Sequence, residues 1–247
     1  MGGVEPLFVD CHSHVCPSGD DGARTVADGA ALCHDAWRHG TGLLFATPHV
    51  WPHLPLTEER ERAVREAFAA LVPQANLELR LGFELTPDPR LLDEDPARYR
   101  LEGTDVVLME VPFSGPADIL VALAEHVEAA GLQPLIAHPE RTDAVLDRPA
   151  LACELAERWP LQVNASSLLG DHGSEIEALG WEIVERGLAH VVASDGHRLS
   201  RPARLDAAFA LVAARVGEEA ARPLFDGSAL SVAAPADARP IRRALSF

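Results

Sequence analysis

The sequence contains no lysine, and all 21 of its basic residues are arginines. Enzymes that form a Schiff base need a lysine amine, and P-loop nucleotide-binding proteins need a lysine in their phosphate loop. The missing lysine therefore excludes both classes. Arginine is still available to bind phosphate, because its planar guanidinium can contact two phosphate oxygens at once.

Cysteine is scarce, and its four positions, Cys11, Cys16, Cys33 and Cys153, show no CxxC spacing. This spacing does not favour a structural zinc ribbon or a redox pair. No arginine follows a cysteine at the spacing that cysteine-dependent tyrosine phosphatases use, and no GxSxG motif for a serine nucleophile is present. We therefore reject a covalent cysteine or serine mechanism.

Long apolar runs and an N-terminal leader pattern are also missing. No apolar stretch is long enough to cross a bilayer, and no basic segment followed by an apolar run opens the sequence. We expect a cytoplasmic protein without membrane insertion. The formal net charge of −17 argues against nucleic acid as a partner, because phosphate backbones need a cationic surface. Both a monomer and an oligomer stay open.

The apolar pattern predicts strands that alternate with helices in a chain of 247 residues. The predicted strands are Leu7–Cys11, Gly42–Ala46, Leu77–Gly82, Asp105–Met109, Gln133–Ala137, Leu161–Val163 and Ala189–Ala193. The predicted helices are Val26–His39, Glu58–Leu71, Ala117–Ala130, Ala150–Arg158, Glu175–Arg186 and Ala203–Val216. This alternation predicts an α/β fold with a parallel sheet. Seven strands suggest a barrel with one strand fewer than the eight-stranded type, and an open doubly wound sheet is the alternative.

Three local features complete the outline of the chain. Gly40 and Gly131 follow helical patterns and predict helix ends. Thr86–Arg100, which is rich in proline and aspartate, predicts a loop with a short helix. We expect a single domain over residues 1–232, followed by a loosely attached tail over residues 233–247.

Residues that commonly bind metal follow nearly every predicted strand. They are His12, His14, His49, Glu84, Glu110, His138, Asp195 and His197. Because the carboxyl ends of parallel strands in a barrel meet at one end, we expect these side chains to lie together. Asp21, within Asp20-Asp21-Gly22, is a further candidate beside His12-Ser13-His14, whose i, i+2 spacing places both imidazoles on one face of an extended chain.

Each of these motifs alone has an ordinary explanation. Histidines at strand ends are often plain turn residues, Asp20 and Asp21 could cap a helix, and Glu84 and Glu110 could pair with arginine. Together the motifs supply nine nitrogen and oxygen ligands and no thiol, which suits zinc, manganese or iron. Nine ligands exceed the needs of one ion, and close metal pairs favour phosphoryl hydrolysis.

Six motifs match, in order, the pattern of the polymerase and histidinol phosphatase (PHP) superfamily. They are His12-Ser13-His14, Asp20-Asp21-Gly22, Ala46-Thr47-Pro48-His49, Ile136-Ala137-His138-Pro139-Glu140-Arg141, Gln162-Val163-Asn164-Ala165-Ser166-Ser167-Leu168 and Ala193-Ser194-Asp195-Gly196-His197. Within the superfamily, the sequence most resembles the manganese-dependent protein-tyrosine phosphatases of capsule and exopolysaccharide loci, the CpsB/CapC-like proteins.

The resemblance implies a distorted seven-stranded TIM-like barrel with three divalent metal ions, of which manganese is expected and iron or zinc is an alternative. It implies that the nine candidates His12, His14, Asp21, His49, Glu84, Glu110, His138, Asp195 and His197 are the metal ligands. It also implies that Arg141 and Arg201 bind phosphate. Thr142, Leu85 and Arg198 depart from residues common in this family and would lie on the rim that faces the substrate.

Three hypotheses for function follow. The first is hydrolysis of phosphotyrosine on a tyrosine kinase of polysaccharide synthesis, by attack of a hydroxide that bridges metal ions. The second is a phosphatase for a small ester such as histidinol phosphate or a sugar phosphate. The third is an interaction domain that metal stabilises without turnover. His53 and His172 are outside candidates for substrate contact, and Asn164 and Ser166 are candidates to line the pocket.

Overall fold

The computed structural model describes residues 8–112 and 118–235, and within them all strand pairs of the two sheets are parallel. The strands are β1 (Phe8–Asp10), β2 (Thr41–Ala46), β3 (His49–Val50), β4 (Glu78–Leu81), β5 (Glu84–Leu85), β6 (Val106–Glu110), β7 (Gln133–Ala137), β8 (Leu161–Asn164) and β9 (Ala189–Ala193). One sheet has the order β1-β2-β4, and the other has the order β3-β5-β6-β7-β8-β9. The prediction of an α/β fold with parallel strands is confirmed.

Helices connect most of the strands. They are α1 (Val26–Arg38), α2 (Glu58–Leu71), α3 (Asp118–Ala129), α4 (Asp143–Asp147), α5 (Ala150–Ala156), α6 (Ala165–Leu168), α7 (Ser174–Glu185), α8 (Asp206–Val216) and α9 (Glu218–Ala221). Short 3-10 helices cover Val72–Gln74, Pro89–Asp93, Pro96–Tyr99, Pro139–Arg141, Arg222–Leu224 and Ser228–Leu230. Across the two described ranges, no helix combines the length and the apolar character that a membrane span would need.

Local chemistry fixes where the helices begin and end. The Thr25 hydroxyl accepts a hydrogen bond from Asp28 N, and the Asp28 carboxylate accepts one from Thr25 N, so a capping box starts α1. Gly40 and Gly131 follow α1 and α3 with φ angles of 93° and 76°. This left-handed conformation suits glycine and ends a helix, so both predicted stops are confirmed.

The segment predicted as a loop with one short helix contains two 3-10 helices. The carboxylates of Asp88 and Asp95 each accept a hydrogen bond from the backbone two residues later and are each followed by proline, which starts a helical turn. The second helix ends at Tyr99, the only tyrosine of the chain. Its side chain is buried, and its hydroxyl donates a hydrogen bond to Glu94.

Most predicted elements match the observed ones apart from their ends, and β7 and β9 match to the residue. The helices α4, α6 and α9 were not predicted, because four or five residues are too few to show a helical period. Leu7, Ala117 and residues 236–247 of the predicted tail lie outside the described residues.

Two short strands that the pattern did not predict, β3 and β5, carry predicted metal ligands. His49 starts β3, Glu84 starts β5, and the two residues are paired in register. Thr47-Pro48 separates β3 from β2, and Gly82-Phe83 separates β5 from β4. Each strand has two residues, which is too short for an alternating pattern to reveal.

Alternate residues of the strands divide the core into two clusters. One cluster packs against the helices and includes Leu44, Val107 and Ile136. The other cluster joins side chains from both sheets, among them Phe45 of β2 and Leu108 of β6. The second cluster lies on the strand faces opposite the helices, because neighbouring residues of a strand point to opposite faces. Its members are Val9, Cys11, Leu43, Phe45, Leu101, Val106, Leu108, Leu135, Ala137, Val191, Ala193 and Leu230.

Hydrogen bonds also join the chain after β1 to the chain after β9, although the two strands belong to different sheets. Asp195 N donates to His12 O at 2.9 Å, and His14 N donates to Gly196 O at 2.7 Å. Thr47 N, after β2, donates to Ser13 O at 2.7 Å. The segments that carry the predicted ligands are therefore bonded to one another through their backbones.

Two helical glycines should respond oppositely to alanine. A Cβ on Gly29 of α1 would lie 2.2 Å from Val15 O, whereas a Cβ on Gly180 of α7 would meet its nearest atom, Leu168 Cδ2, at 3.4 Å. We expect Gly29→Ala to lower the free energy of unfolding by about 1–3 kcal/mol through overpacking. Gly180→Ala should raise it by up to about 1 kcal/mol through helix propensity.

Urea denaturation of both variants beside the parent chain measures these effects. Gly180→Ala is the matched control, because it makes the same change in another buried helix position that has room for a methyl group. A stabilising Gly29→Ala would contradict the close packing of α1 against Val15.

Candidate metal centre

The ends of the strands bring the predicted ligands together. In four overlapping groups, one ligand atom of each residue lies within 4.8 Å of the others. The groups are His14, His49 and His197; His12, His14 and Glu84; His12, His138 and Asp195; and Glu84, Glu110 and His138. Every predicted ligand except Asp21 belongs to at least one group, and all of these residues are buried.

Asp21 lies at the solvent edge of this cluster. Its side chain is 50% exposed, and its Oδ1 is 3.2 Å from His197 Nε2 and 3.6 Å from His49 Nε2. The hydrogen bond with His197 lowers the pKa of Asp21 to about 2. Asp21 is therefore an ionised carboxylate beside the buried ligands.

Glu84 lies at the centre of the cluster and is completely buried. Its Oε2 is 2.9 Å from His49 Nδ1, 3.1 Å from His12 Nε2 and 3.3 Å from His14 Nε2. No described residue makes a well-formed hydrogen bond with this oxygen, despite the short distances. The other oxygen, Glu84 Oε1, is 2.9 Å from His138 Nε2. A buried carboxylate oxygen that several imidazole nitrogens approach without a hydrogen bond is the arrangement expected around a cation, and the cluster fits divalent metal ions on this ground.

The charges within the cluster agree with a cation-binding role. Burial opposes ionisation of Glu84, but the positive charges of His12 and His49 outweigh it and hold the pKa of Glu84 well below its usual value. Burial and the negative charge of Glu84 raise the pKa of Glu110 well above its usual value. Two buried carboxylates on the paired strands β5 and β6 therefore compete for charge, and a bound cation would favour the ionised form of both.

Glu110 contributes a second oxygen that has no partner. Its Oε1 accepts a hydrogen bond from the Thr86 hydroxyl, whereas its Oε2 is buried and makes no hydrogen bond to the described residues. Glu110 ends β6 and lies on the same strand face as Val106 and Leu108, because side chains alternate along a strand. Glu110 therefore continues the strand face whose earlier residues, Val106 and Leu108, belong to the inner apolar cluster.

Backbone strain directs two of the ligands. His138 follows β7 with a φ of 33°, and Asp195 follows β9 with a φ of 52°. Residues other than glycine rarely adopt this region, which costs about 1–3 kcal/mol. Hydrogen bonds from His138 N to Gln162 O and from Asp195 N to His12 O, at 2.7 and 2.9 Å, hold both conformations.

Gln162 of β8 orients His12 and was not predicted as a functional residue. His12 Nδ1 donates to Gln162 Oε1 at 2.9 Å, which leaves His12 Nε2 facing the cluster. Gln162 Nε2 donates to Asn164 Oδ1 at 2.7 Å, and Asn164 Nδ2 donates to Asp195 Oδ2 at 2.8 Å. A polar chain therefore links two predicted ligands and fixes their orientation.

Other predicted ligands have similar supports. His197 Nδ1 donates to Asp195 O at 2.8 Å. His14 Nδ1 donates to Asp20 Oδ2 at 3.4 Å, and the same oxygen accepts from His49 N at 3.1 Å. Asp20 was predicted to be a turn or cap residue, but its buried carboxylate accepts hydrogen bonds from two candidate ligands. Its position directly before Asp21 was the available signal.

The two predicted phosphate-binding arginines meet at one ligand. Arg141 Nη1 donates to Asp195 Oδ2 at 2.6 Å, and Arg201 Nη2 donates to the same oxygen. Arg201 Nε is buried and makes no hydrogen bond to the described residues. Two guanidinium groups beside one carboxylate oxygen leave an excess of positive charge, which would attract an anion.

The secondary candidates occupy two sides of the centre. Asn164 ends β8 and Ser166 lies in α6, and both are buried. A 2.9 Å hydrogen bond joins Ser166 Oγ to His172 Nε2. Burial, followed by the charges of Arg141 and Arg201, lowers the pKa of His172 to about 4. On the other side, Trp51 stacks on His49 and His53 stacks on Trp51, with ring centroids 4.3 and 5.1 Å apart. The ring of Trp51 therefore lies between His53 and the predicted ligand His49.

Parallel strands that end in a buried set of imidazoles and carboxylates are typical of metal-dependent hydrolases with TIM-barrel-like folds. The chain belongs to the capsular polysaccharide synthesis CpsB/CapC family, whose sequence model matches residues 8–232. The resemblance to CpsB/CapC-like proteins inferred from the motifs is confirmed.

Relatives in this family are named as phosphatases. The tyrosine-protein phosphatase YwqE of Bacillus subtilis (strain 168) is 30% identical over 201 residues, which cover 78% of each chain. The putative tyrosine-protein phosphatase CapC of Staphylococcus aureus is 30% identical over 212 residues, which cover 82% of each chain.

A solved structure agrees with this family assignment. One chain from a study of YwqE from Bacillus subtilis and CpsB from Streptococcus pneumoniae, described there as metal-dependent tyrosine phosphatases, superposes with a TM-score of 0.79 at 29% identity. The match covers 88% of this chain and 91% of the other. An inactive dihydroorotase-like domain of Chaetomium thermophilum, at 9% identity and a TM-score of 0.58, shares only the fold.

The support of His12 by Gln162 can be tested by substitution. We expect Gln162→Met to weaken metal binding about 10–100-fold, because His12 loses the partner that fixes its ring. The measurement is titration of the metal-free protein with Mn²⁺ in competition with a chelating dye. Gln133→Met, at the exposed start of β7, is the matched control and should leave affinity unchanged. Equal affinities for both variants would contradict the supporting role.

Proposed function

We propose that this chain is a metal-dependent phosphatase that hydrolyses phosphotyrosine in a protein substrate. The observation that carries the proposal is the arginine pair on Asp195 Oδ2, which sets a receptor for phosphate directly beside the buried cluster of ligands. The names of the relatives as tyrosine-protein phosphatases support phosphotyrosine as the substrate. The family description names capsular polysaccharide synthesis, and we propose a tyrosine kinase of that process as the protein that carries the phosphotyrosine.

The nine predicted ligands would hold three divalent metal ions, with manganese as the proposed metal and iron or zinc as alternatives. The overlap of the four ligand groups supports more than one ion, because His12, His14, Glu84 and His138 each belong to two groups. Bound ions would activate a water molecule for attack on phosphorus and neutralise charge on the phosphate. Asp21 would complete the set from the solvent edge.

The side chains of this chain would bind and orient the phosphate group. Arg141 and Arg201 would donate hydrogen bonds to phosphate oxygens, and the unpartnered Nε of Arg201 supports this role. Asp195, which accepts a hydrogen bond from Asn164, would hold the two guanidinium groups in place. Charge that develops on the phosphate would meet donors that are already oriented, which favours the transition state.

We also propose that the two sheets form one distorted seven-stranded barrel within a single domain over residues 1–232. In this description β3 and β5 continue β2 and β4 after short interruptions. The shared inner cluster of apolar side chains and the hydrogen bonds between the segments after β1 and β9 support closure. The barrel would explain why ligands from every part of the chain meet at one end.

A small phosphate ester is the second candidate substrate. Arg198 is exposed and departs from the residue that the resemblance leads one to expect, so a changed rim could admit a different molecule. Thr142 and Leu85, which were expected on the same rim, are buried instead. The identity to relatives named as tyrosine-protein phosphatases makes phosphotyrosine the first choice.

A panel of substrates tests the proposed function. The chain is purified with Mn²⁺ and assayed with a phosphotyrosine peptide, histidinol phosphate and p-nitrophenyl phosphate. We expect release of phosphate from the peptide that a chelator or His12→Ala abolishes, because either change removes the metal centre. His34→Ala, an exposed histidine of α1 outside the cluster, is the control and should retain activity.

The panel separates the alternatives. Release from histidinol phosphate alone would exclude phosphotyrosine as the substrate. No metal-dependent release from any of the three esters would rule out both enzyme hypotheses and leave the interaction domain.

The arginine pair gives a separate kinetic prediction. We expect Arg141→Ala and Arg201→Ala each to lower kcat/KM about 10–100-fold, mainly through KM, because each removes a charged hydrogen bond to phosphate. Steady-state kinetics with the phosphotyrosine peptide measures the effect. Arg204→Ala is the control, since Arg204 pairs with Asp35 at the surface and such pairs contribute little. Unchanged kinetics in the first two variants would refute the phosphate-binding role.

A further inference from the structure

A tight turn at the edge of the metal centre carries two arginines. Arg201 N donates to Arg198 O at 2.8 Å, and Arg198 N and His197 N both donate to Arg201 O, at 3.2 and 2.9 Å. This bonding keeps the Cα atoms of Arg198 and Arg201 within about 7 Å of each other. Leu199, between them, is 64% exposed, so the rest of the described chain leaves the tip of the turn open to solvent.

Arg198 is held at the edge of the ligand cluster. Its Nη2 donates to Asp21 O at 3.2 Å, and the Asp21 carboxylate lies 3.2 Å from His197 Nε2. The Arg198 guanidinium therefore contacts the backbone of one predicted ligand, Asp21, whose carboxylate faces a second one, His197. The guanidinium therefore lies at the solvent edge of the cluster, beside Asp21.

The charge of Arg198 is not matched by an acid. Among residues 8–112 and 118–235, the structure gives it no carboxylate at ion-pair distance, whereas Arg201 pairs with Asp195 and Arg204 pairs with Asp35. The hydrogen bond to Asp21 O uses a neutral backbone carbonyl. Donors on Arg198 are therefore available to an acidic group from outside the chain.

The charge of the whole chain makes this local cation significant. The chain has a formal net charge of −17, which repels an acidic protein segment at long range. At the centre, bound metal ions would offset the carboxylates of the ligands, and Arg198 adds its positive charge to those of Arg141 and Arg201. An acidic segment would find its attractive contacts at this rim.

We infer that Arg198 binds a carboxylate of the substrate close to its phosphotyrosine, so that the enzyme prefers phosphotyrosine segments with acidic neighbours. This inference rests on the proposed function and adds a preference for sequence to it. An extended peptide advances about 3.3 Å per residue. A glutamate one to three residues from the phosphotyrosine therefore reaches Arg198 while the phosphate contacts Arg201.

Peptides that differ only in their flanks test the inference. Phosphotyrosine is flanked on both sides by three glutamates, three glutamines or three lysines, and kcat/KM is measured with the Mn²⁺-loaded full chain. We expect the parent chain to favour the glutamate peptide over the glutamine peptide about two- to fivefold, the range of an exposed ion pair. The preference should shrink as salt is added, because salt screens exposed charges.

Three variants assign the preference to Arg198. In Arg198→Gln the ratio of the two kcat/KM values should fall to about 1, and Arg198→Glu should favour the lysine peptide instead. Arg62→Gln removes another exposed charge, from α2 and not from the turn, and should keep the parent ratio. Release from p-nitrophenyl phosphate reports that each variant is folded and metal-loaded.

The possible failures are distinguishable. If no phosphotyrosine peptide is hydrolysed while p-nitrophenyl phosphate is, the proposed function fails. If the parent chain hydrolyses the glutamate and glutamine peptides equally well, the function stands and the inference is overturned. If Arg198→Gln lowers both values equally, Arg198 only supports the turn through Asp21, which also overturns the inference.

Discussion

Glu84 is a carboxylate without solvent exposure, and its Oε2 faces three imidazole nitrogens without forming a hydrogen bond to any of them. Burying an ionised carboxylate is costly unless an opposite charge accompanies it. Partial compensation comes from His12 and His49, whose charges keep Glu84 ionised. For Glu110, on the neighbouring strand, burial and the charge of Glu84 outweigh the support of Thr86 and His14, and the pKa of Glu110 rises. A bound cation would resolve this conflict, so the fold around the centre is organised to receive positive charge.

The scaffold holds these groups in place at a local energetic cost. His138 and Asp195 leave their strands in the left-handed region, and the backbones of Gln162 and His12 hold them there. Gln162 and Asn164 then connect the imidazole of His12 to the carboxylate of Asp195. The same carboxylate carries both phosphate-binding candidates, so the placement of the ligands and of the arginines is coupled. A substitution that displaces the ligands would therefore also displace the arginines, and the reverse holds as well.

Much of the fold and of the candidate site could be predicted from the sequence because both follow from periodicity. Strands such as β7 and β9 show uninterrupted apolar runs, and residues that follow such strands meet at one end of a parallel fold. This rule alone brings His12 and His197 together. The two-residue strands β3 and β5 escaped prediction because they are too short to show a pattern, although their first residues were identified as ligands.

Contacts between distant residues set the limit of prediction. Gln162 reads as an ordinary polar residue in an apolar strand, and its hydrogen bond to His12 spans 150 positions in the chain. The support that Asp20 gives to His14 was nearer in sequence, but a turn residue and a buried support look alike in a single sequence. The choice between a closed barrel and an open sheet also depends on long-range pairing, which periodicity does not encode.

The only tyrosine of the chain, Tyr99, is buried with its hydroxyl bonded to Glu94. A tyrosine kinase needs an accessible hydroxyl, and the folded chain offers none. A kinase whose phosphorylation this chain would reverse as proposed would find no accessible tyrosine on it, so the chain would not compete with its substrate as a second source of phosphotyrosine. In a reaction that contains both proteins, an antibody signal for phosphotyrosine therefore reports the substrate alone.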